Sequence, residues 1–291
     1  MRVEKSNFTI TRMARLLEVS RSGFYAHLKR EPSLRAVRAM RIEQKVRWFY
    51  GASDEVSGAP KILADLREDG EIISRKTVAK TMRSLGLVGI CPKKWKTTTV
   101  TNDRDTYPPD LVKRSWDTGV LNQVWVSDIT YLRTWQGWLY LAVVLDAHSR
   151  RVIGWAIDEH MRADLVEEAL KMAVTLRGDL PGTVIFHSDR GTQYASAQIT
   201  KFANANALIR SMGYTGVCWD NSMAESFFAT LKTEFYYRRI WPTKKATKIA
   251  VGAWIEERYN RLRRHSSIGQ IPPVTFEMQY SHHTAETQNA A

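Results

Sequence analysis

Residues 123–132 read QVWVSDITYL, and this stretch decides how the chain is built. Apolar and polar positions alternate, placing Val124, Val126, Asp128 and Thr130 on one face of a strand. Trp125, Ser127, Ile129 and Tyr131 fall on the other. Aspartate is disfavoured inside a strand, so Asp128 needs a reason beyond propensity. Downstream, Trp138–Asp146 is a near-continuous apolar run, as in a strand covered on both faces. His148-Ser149-Arg150 then turns into a third strand at 151–157. Ala163–Leu176 has helical periodicity, Thr183–His187 is a fourth strand, and a helix near 195–206 precedes a short strand at 208–212. Asp220 or Asn221 caps a helix running to about Tyr237. A meander followed by alternating helix and strand predicts an α/β fold with a mixed sheet.

The fourth strand runs into His187-Ser188-Asp189. Adjacent Ser, His and Asp do not make a hydrolase triad, whose members meet through space and need a strained turn to present the serine. Asp189 instead sits just past the carboxyl end of a strand, the usual place for a site in an α/β sheet. Glu225 lies in the first turn of the next long helix, whose other face carries Met223, Phe227 and Leu231. Three carboxylates gathered without partners would repel one another, so Asp128, Asp189 and Glu225 together imply hard divalent cations. Spacing alone proves little: 225 − 189 − 1 = 35 residues separate Asp189 from Glu225, and Asp220 and Glu256 are equally far apart. Lys232 is seven residues past Glu225, hence about 20° away around the helix and roughly 10.5 Å along it. A lysine on that edge is placed to hold a phosphate.

Ahead of this region the pattern is helical. In residues 8–30, Met13, Leu16 and Leu17 have helical spacing, Val19-Ser20 interrupts, and Ser22 is a candidate cap for a second helix with Phe24, Tyr25 and Leu28. Arg35, Arg38, Arg41, Lys45 and Arg47 line a basic helix broken by Gly51. An amphipathic helix at 61–69 closes at Gly70, and Ser74 starts another that buries Val78, Met82 and Leu85. The exposed side of the latter carries Arg75, Lys76, Lys80 and Arg83, as a DNA-reading second helix requires. Residues 93–109, rich in Thr and closed by Pro-Pro, read as a basic linker containing Lys93, Lys94 and Lys96. At the C-terminal end, 244–264 is a basic amphipathic helix packing through Ile249, Trp254, Ile255 and Tyr259. IPPVTFEMQY folds back on the core, and the last ten or so residues are expected to be disordered.

With 43 basic against 30 acidic residues, the net charge is +13 over 291 residues. Such an excess points to a polyanion, nucleic acid before membrane. The longest apolar run is too short to span a bilayer, and no signal peptide opens the chain. Cys91 and Cys218 are too few for a multi-cysteine zinc site and read as reduced thiols in a cytosol.

The blocks WVSDITYL, IFHSDRGTQY and DNSMAESFFATLKTE resemble insertion-sequence transposases with a retroviral-integrase catalytic core, most closely the OrfB product of the insertion sequence three family. The resemblance implies a ribonuclease-H-like mixed five-stranded sheet with flanking helices, preceded by helix-turn-helix-like DNA-binding modules. The expected segments are two helical modules (1–50 and 51–92), a linker (93–112), the catalytic core (113–240) and a C-terminal basic helix and tail (241–291). It implies that Asp128, Asp189 and Glu225 bind two Mg²⁺ or Mn²⁺ ions, with Lys232, Arg190, Gln193 and Asn221 on DNA. His187, also in the second block, is expected to make a structural hydrogen bond. Implied partners are double-stranded DNA, a homodimer or larger synaptic assembly, and an upstream OrfA product; the expected location is bacterial cytoplasm, at the nucleoid. The His-His-Cys-Cys zinc module of retroviral integrases is absent, as is a sustained heptad pattern. Rival readings are a nuclease of the same fold that does not join ends, and a DNA-binding regulator whose acids are structural.

Overall fold

The computed structural model describes residues 1–92, 107–113, 115–180, 182–213 and 221–289. Lys93, Lys94, Lys96, Cys218 and Asp220 lie outside the described residues. The first helices start at hydroxyl caps, where Thr9, Ser20 and Ser33 accept from the backbone N–H of Arg12, Gly23 and Ala36. These caps open α1 (Ile10–Leu16), α2 (Arg21–Lys29) and α3 (Leu34–Ala52). Ser20, not Ser22, is therefore the second cap, because Ser20 has the extended backbone that aims its oxygen into the first turn, whereas Ser22 is already inside the helix. Gly51 does not break α3, which runs one residue past it. α4 (Ala59–Glu68) and α5 (Arg75–Ser84) follow, the latter capped by Ser74. Ile42 and Val46 of α3 pack with Ile62, Leu63 and Leu66 of α4 and with Val78 and Met82 of α5. α3, from the first expected segment, thus shares a core with helices of the second. α1 and α2 bury only Met13 and Ala14, leaving Leu16 and Leu17 exposed.

The alternation at 123–132 becomes strand β1 (Val124–Thr134), which turns at Gly137 into β2 (Gly137–Asp146) and continues to β3 (Val152–Asp158). α6 (Ala163–Arg177) crosses the sheet to β4 (Val184–Ser188). Two short helices, α7 (Thr192–Ala195) and α8 (Ala197–Ala205), lead to β5 (Leu208–Met212). The sheet order is β3-β2-β1-β4-β5, antiparallel among the first three and parallel from β1 to β5. This is the expected mixed five-stranded, ribonuclease-H-like sheet. One face packs Trp125, Val144 and Phe186 against Leu165, Val166 and Leu170 of α6. The fit is tight at Gly154, where a Cβ would lie 2.1 Å from the carbonyl oxygen of Ala169.

The other face packs Val126, Leu141 and Val143 against Phe227, Phe228 and Leu231 of α9 (Ser222–Glu234). α9 stops short of Tyr237: Phe235 leaves helical geometry and a 3-10 turn occupies Tyr236–Arg238. α10 (Lys244–Ala253) continues into a π-helical stretch, Trp254–Leu262, that buries Trp254, Ile255 and Tyr259. Ile249 is exposed, contrary to expectation, because Thr247 and Val251 occupy the inward face of α10. α11 (Pro273–Asn289) returns to the core as expected, its Glu277 bonding Ser149, Arg151 and Arg177. The helix extends through Asn289, where the polar composition suggests disorder. The helical module docks onto the core through charges. Lys61 of α4 and Arg263 both bond buried Glu234 at the end of α9, and Arg264 pairs with Asp65.

Candidate active site

β1 and β4 run parallel with Val126 opposite His187. Asp128 and Asp189 each lie two residues beyond that pair, so the register carries both acids to the same end of adjacent strands. Asp128 belongs to the face covered by α9, and Glu225 sits in that helix's first turn. Strand register and helix packing together bring three distant segments to one place.

Two hydrogen bonds made by Ser127 hold this arrangement. The side-chain amide of Asn221, just before α9, donates to the carbonyl oxygen of Ser127 at 3.2 Å. The Ser127 hydroxyl lies 2.9 Å from the Tyr194 hydroxyl, in the short helix that follows Asp189. The residue preceding Asp128 is thereby tied to the elements bearing the other two acids. Asn221 is at the N-cap position but makes no capping bond, so its side chain serves this tether rather than the helix.

The electrostatics are unusual for this chain. Burial, then the charges of Asp189 and Glu225, push the Asp128 carboxyl well above its ordinary range, against a hydrogen bond from the Ile129 N–H. Partial desolvation by the surrounding protein also raises Asp189, opposed by the Gly191 N–H and by His187, and it raises Glu225, although both side chains still meet solvent. By contrast, buried Asp146, Glu234 and Glu277 face arginine or lysine. Among the described residues, none of Asp128, Asp189 or Glu225 forms an ion pair. Lys232 is the basic group felt by Asp128; burial lowers its pKa, and its Nζ rests 4.8 Å from the Tyr131 ring centroid.

Asp189 and Glu225 are near enough to raise Asp128, but the three are not drawn into a finished shell. Among the described residues, no three His, Cys, Asp or Glu side chains already stand in metal-holding geometry. The donor set nevertheless suits a hard cation: all oxygen, open to solvent at Asp189 and Glu225, and making no ion pair among the described residues.

The remaining sequence candidates divide. His187 is buried, with Nδ1 2.9 Å from the Ser211 hydroxyl and its ring edge-on to Trp116, so it makes the expected structural bond. Gln193 donates to the Met161 carbonyl, and the Arg190 guanidinium stacks over Tyr107. Arg75, Lys76, Lys80 and Arg83 lie on α5, whose buried side is Val78 and Met82. Sequence reasoning did not single out Ser127; its inward place in the strand alternation was the available signal, but its partners lie 67 and 94 residues away.

Comparison with known families agrees with this architecture. Residues 121–218 and 207–273 each match an integrase core domain, and residues 37–95 match an HTH-like domain. An HTH-like domain followed by an integrase core is the make-up of a transposase that acts on DNA. Transposase InsF for insertion sequence IS3A of Escherichia coli is 37% identical over 94% of this chain and 95% of its own length. A putative transposase for insertion sequence element IS986/IS6110 of Mycobacterium tuberculosis is 32% identical over 91% and 96%. The chain belongs to the IS3 family of insertion-sequence transposases. Among solved structures, a simian T-cell lymphotropic virus intasome aligns with TM-score 0.46 and 17% identity, covering 73% of each chain. The HTLV-2 integrase catalytic core domain in complex with magnesium aligns with TM-score 0.41 and 16% identity, over 53% of this chain and 95% of that one. No helix among the described residues is long and apolar enough to cross a membrane.

Proposed function

We propose that this transposase cuts DNA at the ends of its element and joins the freed 3′-hydroxyl to a second phosphodiester, with Asp128, Asp189 and Glu225 as the metal-binding triad. The observation that carries this reading is that Asp128 feels the charges of both Asp189 and Glu225 while none of the three forms an ion pair among the described residues, whereas buried Asp146, Glu234 and Glu277 are all paired. Two Mg²⁺ or Mn²⁺ ions held there would activate the attacking oxygen and stabilise the leaving one.

The protein groups divide the remaining work. Asp128, fixed in β1, and Asp189, on the loop after β4, supply oxygen ligands from adjacent strands; Glu225 supplies a third from α9. Lys232 places a positive charge beside Asp128, where it steadies a phosphate and limits the repulsion felt on approach. Arg75, Lys76, Lys80 and Arg83 on α5 track the DNA backbone, and Arg190 and Gln193 shape the loop beside the scissile strand. Both steps use one site with no covalent enzyme intermediate. The helical module and the core engage double-stranded DNA, and holding two ends together calls for a dimer or larger synaptic assembly, with or without the upstream OrfA product.

The test is incubation of the purified chain with its own element ends and Mg²⁺ or Mn²⁺, then with pre-cut ends and target DNA. Joined products support the reading. Cleavage without joining reduces the protein to a nuclease, and activity unchanged by Asp189→Asn removes these acids from the chemistry.

A further inference from the structure

β4 pairs with β1 only across Val124–Val126, whereas β1 continues to Thr134. Past Asp128, therefore, one edge of β1 has no neighbouring strand among the described residues. Large aromatic side chains on this part of β1, on its partner β2 and in the 3-10 turn after α9 remain in solvent. Tyr131 is 60% exposed, Trp138 44% and Tyr237 67%. The rings of Tyr131 and Trp138 stand edge to face with centroids 5.4 Å apart. Each already carries a cation: Lys232 Nζ lies 4.8 Å from the Tyr131 centroid and the Arg133 guanidinium 5.6 Å from that of Trp138. Trp135, 75% exposed, continues the strip into the β1–β2 turn.

Exposed aromatic rings interleaved with cations suit one class of ligand. Bases offer flat π faces for the rings, and the backbone that joins them offers phosphates for Lys232 and Arg133. An apolar protein helix would leave both cations facing hydrocarbon. Position narrows the ligand further: Tyr131 is three residues from Asp128, about 10 Å along a strand, and although the alternation puts the two on opposite faces, Lys232, whose charge Asp128 feels, reaches the Tyr131 ring. Bases paired inside a duplex cannot present their faces to such a strip. We infer that Tyr131 and Trp138 form a stacking platform for unpaired bases of the DNA strand whose backbone leads to the carboxylates. This inference deepens the DNA-processing reading above and takes its ligand from it. It adds that the end of the element is opened, and that the opened strand is held by its bases.

The experiment reads binding and not turnover, so it is independent of whether the site cuts or joins. A labelled single-stranded oligonucleotide is titrated with the full chain without divalent cations, and a paired duplex of the same sequence is titrated alongside. The double variant Tyr131→Ala/Trp138→Ala is expected to bind the single strand roughly tenfold more weakly while changing duplex affinity less than about twofold. Tyr131→Phe/Trp138→Phe, which keeps an aromatic ring at both positions, is expected to restore single-strand binding. Unchanged single-strand affinity in the alanine variant overturns the platform, as does equal loss on both DNAs or failure of the phenylalanine pair to rescue. Ring-dependent binding by a chain that neither cuts nor joins its ends would keep the platform and overturn the transposition chemistry; the reverse pattern would do the opposite. Both side chains are substantially exposed, and a melting curve for each variant confirms that the fold survives.

Discussion

The amide of Asn221 reaches 3.2 Å to the carbonyl oxygen of Ser127, so the helix that carries Glu225 is fastened to the residue before Asp128. The bond is buried and joins segments 94 residues apart. With the packing of Phe227, Phe228 and Leu231 on the sheet, it holds the helix bearing the third acid against the strand bearing the first. Asn221→Ala removes the donor at a stability cost of about 0.5–1.5 kcal/mol. We expect kcat to fall about tenfold or more with little change in DNA affinity. Single-turnover cleavage measured beside equilibrium binding separates the two, and an unchanged rate would show that α9 needs no tether.

Asp128 carries a second prediction, with a sign. Its folded carboxyl is raised, so the folded state holds the proton more tightly than the unfolded chain does. Stability from this group is therefore greatest in acid and declines as pH rises from the ordinary carboxylate range through the raised folded value. At neutral pH, Asp128→Asn should melt higher than wild type, by roughly 2–4 °C for each kcal/mol relieved, while losing activity. A lower melting temperature would mean that the carboxylate is already compensated.

The same acids should respond to Mg²⁺ or Mn²⁺. A cation that binds only the folded protein raises the melting temperature in proportion to the logarithm of its concentration. We expect that rise in wild type and its loss in Asp128→Asn and Asp189→Asn, measured by calorimetry without DNA. An equal rise in all three proteins would place the cation elsewhere.

Glu234 gives the opposite pH behaviour. Burial pushes its carboxyl up, but hydrogen bonds and charge from Arg263, with help from Lys61, outweigh burial and hold it below the ordinary range. Its contribution is present above the unfolded carboxylate pKa and is lost as pH falls through the lowered folded value. Glu234→Ala leaves two largely covered cations unmatched, at a cost of up to about 3–5 kcal/mol. Protection of α4 amides from hydrogen exchange, taken relative to the intrinsic rate at each pH, should fall in this variant and in acid. Unchanged protection of α4 would mean that the module docks without this joint.

On α5, replacing Lys76 and Lys80 with alanine should weaken DNA binding across all sequences. The slope of log affinity against log salt should fall by about 1 for each phosphate that is no longer neutralised. An unaltered slope would remove this face from the DNA path.

Much of this fold could be read locally. The alternation around Asp128, the apolar run of β2 and the hydroxyl start at Ser74 each report on a few consecutive residues, and each formed where expected. Choices between equivalent local signals were less legible. Ser20 and Ser22 are alike by composition, and only the backbone turn selected Ser20. Ile249 is apolar like Trp254 yet faces outward, because five residues are about 140° around a helix and the inward face of α10 is taken by Thr247 and Val251. At the candidate site the acids were visible as residues out of place, Asp128 above all. The tether from Ser127 was not, since its bonds depend on strand register and on helix docking, neither of which any short window contains.

α9 has Glu225 in its first turn and Glu234 at its last residue, and the latter grips both the helical module and the C-terminal region. A load applied at one end of a stiff rod is felt at the other. Under the proposed function, the joint that seats the helical module and the third acid of the site are the two ends of a single helix, thirteen residues long.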